Sequence, residues 1–186
     1  MSVVQGWIAR SAAYTRPPHG MAATDLTTRA QPLSASGADA LSAPETHERL
    51  EEEISRAERY GTQLACLLVL IDNLDEMARE HGSELPEQTL TYVAAVLREQ
   101  LRRFDRIGRP SGQELLVLLP GADEPRGEIV ARRILERLQT IKVEAHGVRS
   151  PLQVSLGLAA WRNKMSTEDL LDRTRAATRT RNGESS

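Results

Sequence analysis

The chain has few aromatic side chains, a single cysteine and almost no lysine. Aromatics make up 3% of its 186 residues, so the hydrophobic 40% must build its core from Leu, Val, Ile and Ala. The lone cysteine, Cys66, rules out an intramolecular disulfide and offers no metal-ligand pattern. It sits inside an apolar run and reads as a small buried core residue. Lysine is confined to Lys142 and Lys164, so the positive charge is almost entirely arginine. With a net charge of −2 and a pI of about 6.1, the chain has no global basic field to hold nucleic acid. No apolar run approaches the roughly 18 residues of a membrane span. The first sixteen residues lack an apolar stretch of signal-peptide length. His19, His47, His81 and His146 are scattered without ligand spacing, and no Ser-His-Asp or Cys-His arrangement is visible. The expectation is a soluble cytoplasmic protein with no metal and no cofactor.

What is present divides the chain in two. Residues 1–38 are rich in Ala, Ser, Thr, Pro and Gly and hold no lasting periodicity. They bury too little apolar surface to offset an ordering entropy of roughly 1–2 kcal/mol per residue, so a disordered tail is expected. Residues 39–183 read as one domain. A helix is expected from Pro44 to the stop at Gly61, with Thr46 as N-cap. Arg49, three residues on, does not complete a capping box. Leu50, Ile54 and Ala57 mark its apolar face. Residues 64–71 (LACLLVLI) are apolar throughout, as in a strand covered on both faces. Asp72 and Asn73 stand at its C-terminal end. A short helix over 74–81 stops at Gly82, and a longer one is expected over 84–103. Later come a helix over 124–138, strands over 141–145 and 152–160, and a final helix over 166–179. Ser166 is expected as the N-cap of that last helix.

The middle of the domain, RRFDRIGRPSGQELLVLLP over residues 102–120, has two apolar arms around a polar turn. Leu115 to Leu119 form an unbroken apolar run, and Pro110-Ser111-Gly112-Gln113 has strong turn chemistry. This reads as a β-hairpin. The resulting order, βαββαβ with added helices, is the ferredoxin-like split plan of an α/β (α+β) protein: a mixed sheet surrounded by helices.

With these motifs in order, residues 39–183 resemble the GGDEF domain of diguanylate cyclases. Ser111-Gly112-Gln113-Glu114-Leu115 occupies the place of the GGDEF signature, and Val69-Leu70-Ile71-Asp72-Asn73-Leu74 that of DIDxF. Asp39 and Leu41 match the DxLTGLxNR segment, and Val154-Ser155-Leu156-Gly157 is similar to a late SxG strand. The resemblance implies a Mg²⁺-dependent joining of two GTP molecules. It places the metal carboxylates at Leu70 and Gln113, the phosphate-facing Lys at Asp75, and the guanine-binding Asn and Asp at Ala78 and Glu87. The late helix signatures fall on Thr174-Arg175 and near Arg181-Asn182. Leu cannot ligate a metal, and Gln offers a neutral oxygen where Mg²⁺ takes ionised ones. The signature thus reads as degenerate, no catalytic residue is assigned, and a non-enzyme is expected.

One element is retained. Arg102-x-x-Asp105 matches the family's inhibitory site for cyclic di-GMP in identity and spacing, and Arg133 (with Arg132 as the other candidate) falls where a further Arg often joins it. Independently of the family, an Arg fork suits guanine O6 and N7 or a phosphate. A carboxylate accepts from guanine N1–H and the amino group. Arg103 and Arg106 read as solvated charges, and Arg173, Arg175, Arg179 and Arg181 as a solvated basic helix face. The expectation is therefore a cyclic di-GMP receptor, with a homodimer or protein partner carrying its signal. The alternatives are a ligand-free interaction module and a residual cyclase.

Overall fold

The computed structural model describes residues 40–145 and 148–179. The expected tail, its boundary with the domain, and Asp39, His19, His146, Arg181, Asn182 and Gly183 lie outside the described residues. The elements are α1 (Ala43–Tyr60), β1 (Leu64–Ile71), α2 (Leu74–His81), α3 (Leu85–Gln100), β2 (Arg106–Gly108), β3 (Glu114–Pro120), α4 (Glu124–Gln139), β4 (Lys142–Ala145), β5 (Val148–Pro151), β6 (Val154–Ala160) and α5 (Thr167–Arg179).

The main sheet has the order β2-β3-β1-β6, with each neighbouring pair antiparallel. A single parallel bridge joins Leu41 to Gly108 beside the β2 edge. This is the expected split plan with helices around one sheet. Within the hairpin, β3 lies inside the sheet, whereas the three-residue β2 is its edge. Backbone bonds from Leu41 N–H to the Ile107 carbonyl (2.9 Å) and from Arg109 N–H to the Leu41 carbonyl (2.8 Å) cover that edge.

β1 and β3 are apolar on both faces because both faces are covered. On one side Leu67, Val69, Leu115 and Val117 pack with α3 and α4 residues such as Val93, Leu97, Ile134 and Leu138. On the other, Cys66, Leu68, Leu116 and Leu118 pack with Leu50 and Ala57 of α1 and Leu170 of α5. Each such buried side chain is worth about 1.5–3 kcal/mol of transfer free energy. Gly157 of β6 lets α5 approach. A Cβ there would lie 2.4 Å from the Thr174 carbonyl oxygen.

Three local readings change. The N-cap of α1 is Ser42, four residues ahead of Thr46. Glu45 closes a capping box on it, accepting from the Ser42 N–H (2.8 Å) and hydroxyl (2.6 Å). Thr46 lies inside the helix, its hydroxyl donating to the Ser42 carbonyl (2.7 Å). The long helix ends at Gln100, which leaves Arg102 and Asp105 in a loop. The strand expected over 152–160 begins at Val154, and residues 148–151, not expected as a strand, pair with β4 as a separate two-stranded ribbon. Ser166 does cap α5: its hydroxyl accepts from Asp169 N–H (3.1 Å), and Asp169 accepts from Ser166 N–H (3.1 Å).

Candidate functional site

Two ends of the hairpin carry the polar chemistry. At the tip, the C-terminal end of β1, the β2–β3 turn, and helices α2, α3 and α5 meet. Leu70 pairs across the sheet with Glu114 on one side and Ser155 on the other. The Glu114 carboxylate is gripped by Arg175 of α5, whose Nε and Nη2 donate at 2.9 and 2.8 Å. Both side chains are largely shielded, at 29% exposure for Arg175 and 15% for Glu114. Gln113 donates its amide to Asp75 (3.0 Å) at the start of α2. Arg109 makes a two-pronged contact with Glu87 of α3 (2.5 and 3.0 Å) and donates to the Gly112 carbonyl (2.6 Å). The Arg109 hydrogen bond to its carboxylate holds the Glu87 carboxyl below its ordinary range. Asp72 accepts from the Ser155 hydroxyl (2.6 Å). Asn73 is buried and structural, its amide joining the Pro151 carbonyl (3.2 Å) and Gln153 N–H (3.1 Å).

At the base, the α3–β2 loop is tightly ordered. The Asp105 carboxylate, buried to 4% exposure, accepts from Arg102 N–H (2.7 Å), and Asp105 N–H donates to the Arg102 carbonyl (3.1 Å). Arg98, from the last turn of α3, donates to the Asp105 carbonyl (2.8 Å) and to the Arg102 carbonyl. Arg106 donates to the Arg103 carbonyl (2.7 Å) and the Asp105 carbonyl (3.2 Å), so it braces the loop and is more than a solvated charge. Arg133 crosses from α4 to the Gln100 carbonyl at the end of α3. Arg102, Arg103 and Phe104 are exposed. Arg132 is exposed on α4. The three residues expected to share a ligand, Arg102, Asp105 and Arg133, therefore stand around one helix end.

The comparisons with known proteins agree with this fold. The family model described as "Diguanylate cyclase, GGDEF domain" matches residues 45–184. The chain belongs to the GGDEF domain family. Among curated relatives, the diguanylate cyclase DgcP of Pseudomonas aeruginosa is 32% identical over 130 residues, 68% of this chain and 19% of that protein. The diguanylate cyclase DosC of Escherichia coli is 28% identical over 122 residues, 65% of this chain and 26% of its own length. The chain thus spans about a fifth to a quarter of these relatives. The solved GGDEF domain of DgcB from Caulobacter crescentus, in complex with c-di-GMP, has a TM-score of 0.72 at 19% identity, covering 80% of this chain and 90% of that one. The diguanylate cyclase SiaD of Pseudomonas aeruginosa, solved with its activator SiaC, has a TM-score of 0.70 at 24% identity, covering 74% and 53%.

These findings correct the expectation of a non-enzyme. The GGDEF family model carries the cyclase description, and the named relatives are diguanylate cyclases. The metal implied by that activity is a separate matter of donors. Leu70 is hydrocarbon, Gln113 is bonded to Asp75, and Glu114 is bound by a guanidinium. Among the described residues, no group of three His, Cys, Asp or Glu stands close enough to hold a metal. The residues present do not fit Mg²⁺.

The solvated-face reading fails at Arg175, which faces inward to Glu114. The side chain of Arg179 lies outside the described residues. Sequence reasoning also missed Arg98 and Arg109, because their partners are a loop carbonyl and a residue 22 positions away. An i,i+4 spacing from Arg98 to Arg102 at a helix end was the available signal for the first. Among the described residues, no helix is long and apolar enough to cross a membrane.

Proposed function

We propose that this GGDEF domain works in cyclic di-GMP signalling and holds the dinucleotide at the base of its hairpin through Arg102, Asp105 and Arg133. The observation that carries this reading is a surplus of positive charge on an ordered loop. Arg98, Arg106 and Arg133 all donate to backbone carbonyls there, which are neutral acceptors, so their charges remain to attract an anion. Asp105 is the carboxylate among them, and it fixes the turn that presents Arg102. Cyclic di-GMP offers two phosphodiesters and two guanine edges, which match Arg forks and a carboxylate. That the structurally similar DgcB domain was solved with c-di-GMP supports the same ligand class.

Titration calorimetry of the full chain with cyclic di-GMP tests this. Saturable binding is expected, weakened about tenfold or more in Arg102→Ala, since a good two-pronged base contact is worth about 1–3 kcal/mol. Absence of binding at high micromolar ligand, or an unchanged isotherm in Arg102→Ala, overturns it. The relatives' names support a second reading, formation of cyclic di-GMP from two GTP, which chromatography of GTP incubations measures. The activator bound to SiaD supports a protein partner as part of the signalling role.

A further inference from the structure

The tip contains a cation of its own. We infer that the Arg175 guanidinium is the resident counter-ion of Glu114, the one carboxylate left in the Ser111–Leu115 signature stretch, so that Mg²⁺ or Mn²⁺ neither binds Glu114 nor stabilises this domain. The inference is independent of the dinucleotide site at the base.

Three observations carry it. First, the contact is two-pronged, with Nε and Nη2 at 2.9 and 2.8 Å from the two carboxylate oxygens, the geometry in which a guanidinium best matches a carboxylate. A divalent ion at those oxygens would have to break both bonds and sit beside a charge of its own sign. Second, Arg175 cannot relieve that repulsion by losing its proton, and the Glu114 contact raises its pKa further. Third, its position is built in. Gly157 removes the Cβ that would collide with the Thr174 carbonyl oxygen, so α5 lies directly on β6 next to Arg175. Asp172, one turn earlier, adds a second carboxylate at 3.7 Å from Arg175 and helps orient it. Across the sheet the paired residue, Leu70, supplies no oxygen ligand.

The test is thermal unfolding of the full chain with millimolar MgCl₂ or MnCl₂. Wild type is expected to show no shift. Arg175→Ala is expected to melt a few degrees lower and to recover part of that loss on adding Mn²⁺. Adding Glu114→Gln to it should abolish the recovery. A wild-type shift with Mn²⁺ that Glu114→Gln removes would overturn the inference, as would a folded Arg175→Ala without any cation response. If Arg175→Ala does not fold, Mn²⁺ broadening of wild-type amide NMR signals decides. Broadening confined to residues 113–115 overturns the inference, and unaffected signals there support it.

Discussion

At the tip of the hairpin, arginines meet carboxylates: Arg175 meets Glu114, and Arg109 meets Glu87. At its base, around Arg102 and Asp105, arginines meet carbonyls: Arg98, Arg106 and Arg133 all donate to main-chain oxygens. The same residue type is used in both places with opposite electrostatic results. A guanidinium paired with a carboxylate is neutralised, and its field falls off quickly. One paired with a carbonyl stays cationic while its geometry is fixed. The tip is thus internally compensated, and the base is left electropositive and rigid, which is the condition for capturing a phosphodiester.

That contrast can be broken most strongly through α5. In Gly157→Ala the new Cβ would sit 2.4 Å from backbone at Thr174 and 2.5 Å from a Thr178 methyl, so the helix must move. Overpacking of this kind costs about 1–3 kcal/mol. Chemical denaturation should show the lost stability, while cyclic di-GMP binding to the folded fraction should survive, since the base takes nothing from α5. A smaller effect is expected at the base itself. Arg98→Ala removes two hydrogen bonds that hold the loop, one part-buried and one exposed, where solvent keeps their contribution modest. It should weaken the dinucleotide several-fold by loosening Arg102, without moving the stability gained from Glu114 and Arg175. Arg98→Lys, which keeps charge but loses the fork, should recover only part of the affinity.

The smallest effect is a pH dependence at the tip. The Glu87 carboxyl is held below its ordinary value of 4.5 by the Arg109 hydrogen bond. A depressed carboxylate adds stability above the unfolded value, and that stability is lost as pH falls through the folded value. The melting-temperature gap between wild type and Glu87→Gln should therefore be present at neutral pH and close as pH drops below about 4.5. Because Glu87 is 62% exposed, the gap should be small and should shrink in high salt.

The sequence displays the elements of this comparison unevenly. The β1 span, the Gly61 and Gly82 stops, the hairpin turn and the Ser166 cap were legible because each rests on local chemistry. The Gly61 stop, for instance, adopts a left-handed φ of 62°. Thr46 misled because Ser42 offers the same cap with a Glu three residues later. The β4–β5 ribbon was hidden because Val148-Arg149-Ser150-Pro151 is short, polar and ends in proline, so nothing local marks it as the partner of β4. At the site, the spacing of Arg102 and Asp105 signalled a local contact, which takes the form of the Arg102 N–H donating to the Asp105 carboxylate. Arg175 was not legible, since its partner Glu114 is 61 residues away and only the close packing at Gly157 brings α5 to it. Burial also sets the fate of Cys66: wholly enclosed between α1 and the sheet, its thiol is pushed up in pKa, in line with the core role read from the sequence.

The measurement that bears most directly on the division between tip and base is a paired titration of cyclic di-GMP into Arg102→Ala and Glu114→Gln, each against wild type. The account predicts that affinity falls about tenfold or more in the first and stays unchanged in the second. Equal affinity in wild type and Arg102→Ala, or a loss confined to Glu114→Gln, would contradict it and move the ligand from the base of the hairpin to its tip.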